Sequence, residues 1–313
     1  MGPDRVLAIL LLCFALVAPL AAQPLRVVVI SDLNGSYGST EYAPRIDSAI
    51  DRVIELRPDL VISTGDMVAG QRRPHLSRNQ VRAMWSSFHR VISDRLAAAG
   101  IPFAVTPGNH DASAYHGFEH EREIYRDEWL PRKPDLDYLD DRDYPFFYAF
   151  EMNGVRFVSL DATVLGPLRG DQLQRLEKVA KDAETVVTFS HLPLWPFAVN
   201  REREIIGDHA LESLYRQTGV DMHLSGHHHA YYPGEKDDIL YVSQACLGGG
   251  SRKLIGDRHR SAHSFTVVDV DDSGHISLYA LKEPDYRNRV DLETLPERIV
   301  TPQATLRRMD LAR

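Results

Sequence analysis

Five short clusters of Asp, Asn and His carry the chemistry of this chain. They are Asp32-Leu33-Asn34, Gly65-Asp66, Gly108-Asn109-His110-Asp111, His191 in Ser-His-Leu-Pro, and Gly226-His227-His228-His229. Their donors are carboxylate and amide oxygens and imidazole nitrogens, with no thiolate. Such a hard-to-borderline set suits manganese, iron or zinc and excludes a tetrahedral thiolate site. The donors are too many for one tetrahedral or octahedral ion, so two ions are the better match, and Asp66 has two oxygens with which to bridge them. Paired ions roughly 3.5 to 4 Å apart lower the pKa of a bridging water and clamp both ends of an in-line displacement at phosphorus. Each cluster alone is common, since Asp-x-Asn is usually a turn and Gly-Asp a loop start. It is their order that is specific.

Elements far apart in sequence must bring these clusters together. Residues 25–31, 60–63, 103–106, 186–190 and 222–225 read as mostly apolar strands, buried on both faces, that stop at polar clusters. Residues 46–56, 80–99, 170–182 and 209–218 carry helical spacing, and Gly100 stands where a helix-ending glycine is expected. In open α/β sheets ligands bind beyond the carboxyl ends of the strands, so such loops converge on one edge. Asn153-Gly154 between two strand-like runs predicts a hairpin, and residues 271–274 predict another. βα units mixed with hairpins point to two packed mixed sheets with helices outside. Residues 113–144, dense in charge and aromatics, read as an insertion over one rim and as a solvated excursion. The polar stretch after Glu283 reads as a loosely packed tail. No internal repeat or low-complexity linker appears, so the expected organisation is one domain over 23–283, with a charged insertion at about 113–145 and a C-terminal tail over 284–313.

Composition narrows the function classes. Of 313 residues, 43% are hydrophobic and 26% charged, which excludes disordered, collagenous and coiled-coil readings. A net charge of −8 argues against a nucleic-acid platform or a lipid-binding surface. Residues 6–18 form an apolar run preceded by Arg5 and followed by Pro19, Leu20, Ala21 and Ala22, the layout of a secretory signal cut near Ala22. The expected location is therefore secreted or periplasmic. No later segment is a transmembrane anchor by length, and loss of Cys13 with the signal leaves Cys246 without an intramolecular disulfide partner.

The motifs GD, GNHD, SHLP and GHHH, over about residues 25–281, resemble the calcineurin-like metallophosphoesterase family, whose order is D-x-H, GD, GNH followed by D or E, H, and G-H-x-H. The resemblance implies an α/β fold, a four-layer αββα sandwich of two mixed β-sheets flanked by helices. It also implies an exported, dinuclear metal-dependent hydrolase of phosphomonoesters or phosphodiesters, in which a metal-bridging hydroxide attacks phosphorus. By position, Asp66 would bridge two divalent or trivalent transition ions (Mn, Fe or Zn). Asn109, His191 and His227 would hold one ion, and Asp32 and His229 the other. His110 would assist the leaving group, His228 would be a spacer, and Asp111 a loop hydrogen-bonder.

Two positions depart from the pattern. Asn34 stands where the family has His, and its neutral oxygen is a poorer ligand that would hold its ion loosely. Ala69 replaces the aspartate of the protein Ser/Thr phosphatase pattern and the tyrosine of purple acid phosphatases, so the chain fits neither subfamily there. A small phosphorylated substrate would be met by Tyr37, Arg72, Arg73, Trp195, Phe197 or Tyr231, with the glycines of 248–250 letting backbone approach. The competing readings are a non-catalytic metal- or ligand-binding protein on the same fold and a mononuclear zinc hydrolase of amides or esters.

Overall fold

The computed structural model describes residues 24–312, so the signal expected over 1–22 lies outside the described residues. The described strands are β1 (Leu25–Ile30), β2 (Leu60–Ser63), β3 (Phe103–Val105), β4 (Asp137–Asp143), β5 (Phe147–Met152), β6 (Val155–Ser159), β7 (Thr185–Ser190), β8 (Met222–Ser225), β9 (Tyr232–Lys236), β10 (Ile239–Ser243), β11 (Ser264–Val270), β12 (Ile276–Lys282), β13 (Asn288–Arg289), β14 (Arg298–Val300) and β15 (Thr305–Arg308). They form a six-stranded sheet in the order β13-β12-β11-β1-β2-β3 and a nine-stranded sheet in the order β14-β15-β9-β10-β8-β7-β6-β5-β4. Parallel pairing holds β1, β2 and β3 together in the first sheet and β6, β7, β8 and β10 in the second. Antiparallel strands flank both groups, so both sheets are mixed.

Alternation along each strand sends side chains to two cores. In β7, Val187 and Phe189 join the core that runs between the sheets and under α1 (Pro44–Leu56) and α2 (Arg78–Phe88), whereas Val186 turns to the other face. There it meets a second core. The other described helices are α3 (Asp94–Ala98), α4 (Asn109–Ala112), α5 (Glu119–Trp129), α6 (Gln172–Ala180) and α7 (His209–Thr218). Leu176 and Val179 of α6 and Leu211 and Leu214 of α7 cover that second core. The layers are therefore helix, sheet, sheet, helix, as expected. No helix among the described residues is long and apolar enough to cross a membrane.

Local signals explain most element ends. Ser77 caps α2 by accepting from the Gln80 N–H while the Gln80 side chain accepts from the Ser77 N–H. The helix expected over 80–99 is α2 and α3 joined by a π-helical turn at His89–Ser93, and Gly100 follows it at φ 71°. Asn153 and Gly154, at φ 49° and 77°, make the expected hairpin turn between β5 and β6.

Two expectations are corrected. The segment from 113 is not a solvated excursion, because α5 buries Ile124, Tyr125 and Trp129 in the main core, with the Trp129 ring 6.0 Å from that of Trp85. Most of its charges lie on the outer side of an amphipathic helix, but Glu121 is buried and accepts from Gln71 N at 2.9 Å. Nor is the chain after Glu283 a loose tail: β13 pairs with β12, β15 pairs with β9, and Ile299 and Leu306 are buried.

Candidate metal centre

The loops after β1, β2 and β3 and those after β7 and β8 meet at one edge because both parallel groups end there. Main-chain hydrogen bonds tie them together: Asp32 N to Gly65 O at 3.0 Å, Gly226 N to His191 O at 3.0 Å and Gly248 N to Asp32 O at 2.8 Å. Glycines permit the close approach. A side-chain carbon on Gly108 would lie 2.1 Å from Asp66 N, and one on Gly226 would lie 2.3 Å from Ser31 Oγ. Asp32, Asp66, His227 and His229 all sit in the left-handed region, at φ 51°, 55°, 63° and 51°. Such backbone costs roughly 1–2 kcal/mol per residue and persists only where the surrounding structure fixes it.

Asp66, His191 and His227 each place a donor atom within 4.8 Å of the others. His191 Nε2 lies 3.3 Å from Asp66 Oδ2, 2.9 Å from Asn109 Oδ1 and 3.2 Å from His227 Nδ1. The outer nitrogens are already committed. His191 Nδ1 donates to Thr64 O at 2.9 Å, and His227 Nε2 donates to Glu204 Oε2 at 2.9 Å. In the neutral rings the two inner nitrogens are therefore lone pairs. Asn109 Nδ2 donates to Gln71 Oε1 at 2.7 Å, which turns its oxygen inward. Four donor groups thus face one point, an arrangement that calls for a proton or a cation at its centre and matches metal-binding histidines held by outer acceptors.

A second set adjoins the first. His229 Nδ1 donates to Gly250 O at 3.0 Å, and its Nε2 lies 3.0 Å from Asp32 Oδ1. That buried oxygen accepts no hydrogen bond. Asp32 Oδ2 accepts from Ser31 Oγ at 2.6 Å and His227 N at 3.0 Å. Asn34 lines the same cavity as Asp66 and His229, and its side chain hydrogen-bonds to no described residue. The residues present fit a cation at Asp66, His191 and His227, with Asn109 beside them, and Asp32, Asn34 and His229 stand next to it as further donors.

Electrostatics agree. Burial opposes charge on His191 and His229, yet the Asp66 and Asp32 carboxylates push them up to about 9 and about 10. Burial likewise opposes ionisation of Asp66, but His191 and His110 hold it below the usual carboxylate range. His227 is pushed well below the usual histidine range by burial and then by His191. The centre draws positive charge and tolerates little more on His227.

His110 donates its main-chain N–H to Asp66 Oδ1 at 2.8 Å and its Nδ1–H to Gly70 O at 3.0 Å, which leaves Nε2 on the cavity side, 3.9 Å from Asp66 Oδ2. The orienting group absent at Ala69 is thus a carbonyl one residue later. Asp111 accepts from Met67 N, Val68 N and Gly108 N at 2.8 to 2.9 Å and locks the Gly-Asp loop to the Asn-His loop. His228 is more than a spacer. Its buried ring accepts from Phe197 N and donates to Glu204 O, both at 3.1 Å, bracing the loop that carries Glu204.

The cavity, about 230 Å³, is lined by Tyr37, Gly249, Gly250 and Arg252 as well as Asn34, Asp66, His110, His227 and His229. Tyr37 is exposed, and its ring lies 5.1 Å from that of His110. Trp195, Phe197 and Tyr231 are corrected: all three are buried in the cores, none lines the cavity, and none is available to a substrate. Arg72 and Arg73 lie outside the lining as well, and Arg73 rests on the Phe118 ring. Residues missed in the sequence are Glu204, Gln71, Gly70 and Arg252. No spacing signal marks them.

The comparisons with known proteins agree with this geometry. The chain is 28% identical to purple acid phosphatase 22 of Arabidopsis thaliana over 254 residues, 78% of this chain and 52% of that protein. It is 22% identical to purple acid phosphatase 15 of the same plant over 285 residues, 81% and 48% of the two chains, so it spans about half the length of these relatives. Among solved structures, a dimetal phosphatase from Danio rerio superposes with a TM-score of 0.56 at 17% identity, covering 83% of this chain and 96% of that one. The calcineurin-like phosphoesterase model matches residues 25–231, and the chain belongs to that family.

Proposed function

We propose that the chain is a dinuclear metal-dependent phosphoester hydrolase. The observation that carries this is the inward-facing set of Asp66, Asn109, His191 and His227, whose outer atoms are fixed by Thr64, Glu204 and Gln71. Asn109, His191 and His227 would hold one ion and Asp32, Asn34 and His229 the other, with Asp66 available to both. Two bound ions (Mn, Fe or Zn) would supply Lewis acidity at phosphorus and an acidified water. The side chains do the rest. Asp32 and Asp66 supply the negative charge, and hydrogen bonds to Gly250 O and Thr64 O stop the His229 and His191 rings from turning. His110, anchored through Nδ1, presents Nε2 to the substrate and delivers a proton to the departing oxygen. Tyr37 packs beside it and limits how the leaving group lies.

The test is metal analysis after loading with Mn, Fe or Zn, together with hydrolysis of p-nitrophenyl phosphate and bis(p-nitrophenyl) phosphate before and after chelation. About two ions per chain and chelator-sensitive turnover are expected. Bound ions without turnover would favour a binding protein, and a chain that holds no transition ion would remove the proposal.

A further inference from the structure

Arg252 belongs to two cavities at once. On one side it lines the metal cavity, and on the other it lines an adjoining groove of about 320 Å³ with Val199, Asn200, Lys253 and Arg260. That groove is strongly cationic in a chain whose net charge is −8. Among the described residues none of the three cations is in an ion pair. Arg260 donates to Ser251 O, and the Arg252 guanidinium donates to His227 O. The carboxylates that act on Arg252, those of Asp32 and Glu204, already face other partners, His229 for Asp32 and both His227 and Arg201 for Glu204. Arg252 is half-buried, so its remaining N–H groups gain from an anionic oxygen.

The groove is also built rather than incidental. Lys253 and Arg260 face each other in an antiparallel bridge, Ala198 and Leu254 form another, and Val199 N donates to Lys253 O at 3.0 Å. The buried residues Phe197 and Ala198, which lead into Val199 and Asn200 of the groove, hang on His228, the middle residue of the triple histidine, through bonds of 3.1 and 3.3 Å. The same ring therefore fixes the groove and the loop that orients His227.

Resting on the hydrolase function proposed for this site, we infer that the groove of Arg252, Lys253 and Arg260 receives a second anionic group of the substrate. The natural substrate is thus a phosphoester whose leaving portion bears a further phosphate or carboxylate. Arg252 sits between the two anions, and Lys253 and Arg260, both exposed, read the distal one.

The experiment compares fructose 1,6-bisphosphate with fructose 6-phosphate on the full metal-loaded chain, wild type and the double variant Lys253→Gln/Arg260→Gln. Hydrolysis kinetics and calorimetric binding are measured in parallel. Wild type should prefer the bisphosphate in kcat/KM, and the double variant should lose about tenfold of that preference, chiefly through KM. Equal kcat/KM for the two sugars in wild type, or a preference untouched by the double variant, overturns the inference. If neither sugar is hydrolysed, the hydrolase function fails separately. In that case tighter calorimetric binding of the bisphosphate to wild type than to the variant still upholds the groove, and equal binding overturns it.

Discussion

His227 Nδ1 and His191 Nε2 face each other across 3.2 Å, although their rings come from loops after different strands of the second sheet. Each ring donates its other N–H to a fixed acceptor, Glu204 or Thr64 O, so neither can turn its inner nitrogen away without breaking that bond. Asp66 approaches the same point from the first sheet. What happens when this meeting point is altered can be stated in advance.

Asp66→Asn should abolish turnover and lower metal content at both positions. An amide retains shape and one oxygen but lacks the charge that two cations share, and its nitrogen would face His191 or the His110 N–H. Metal analysis beside turnover decides. Full occupancy with near wild-type rate would remove the bridging assignment.

His110→Ala should keep both ions and lose about 10²- to 10⁴-fold in rate, the usual worth of general acid–base help. The loss should be smallest for p-nitrophenyl phosphate, whose leaving group needs little protonation, and largest for alkyl esters. Equal losses would move His110 from proton donor to phosphate binder.

Glu204→Gln tests the outer partner of His227. The glutamine side chain still reaches Nε2 but no longer carries the charge that strengthens the ligand, and such changes typically weaken metal affinity about 10- to 100-fold. Titration of the metal-free variant should show this at one of the two positions only. An unchanged affinity would make the contact incidental.

A fourth expectation concerns pH and lies away from the centre. Burial holds His223 down at about 3, between Thr188 Oγ1 at 2.9 Å and Tyr215 Oη at 3.1 Å from its Nδ1. An unfolded histidine titrates near 6.5 and binds a proton that the folded one refuses. The stability from neutral His223 is therefore fully present above about pH 6.5 and is lost as pH falls from there toward 3, at roughly 1.4 kcal/mol per pH unit. His223→Asn should unfold more easily at pH 7 but show a flatter decline between pH 6.5 and 5 in denaturant titrations. Parallel curves for the two proteins would contradict it.

Much of the architecture was legible because the central strands are covered on both faces and so read as unbroken apolar runs ending in Asp, Asn, His or Gly. The donors at the strand ends were legible for the same reason. Their outer partners were not. Gln71, Gly70 and Glu204 act through loops whose paths depend on tertiary packing, and Glu204 lies in a charged run that resembles any solvated surface. Trp195, Phe197 and Tyr231 misled because nearness to a ligand in sequence does not say which way a side chain points; alternate residues beyond a strand turn into the core. The end of the chain misled through brevity, since β14 and β15 each bury few residues and leave no periodic run to detect.

Asp32, Asp66 and Asn109 follow strands of the first sheet, whereas His191, His227 and His229 follow strands of the second. Cations held among them would therefore act as cross-links between two layers that otherwise adhere through side-chain packing and a few loop hydrogen bonds, such as those of His191 to Thr64 O and of His227 N to Asp32. Their removal should loosen the seam at the loop edge first and leave the distant hairpin turns at Asn153 and Gly274 unchanged. Hydrogen exchange after chelation should consequently spread inward from one end of the sandwich, and refolded protein should regain that end last when metal is withheld.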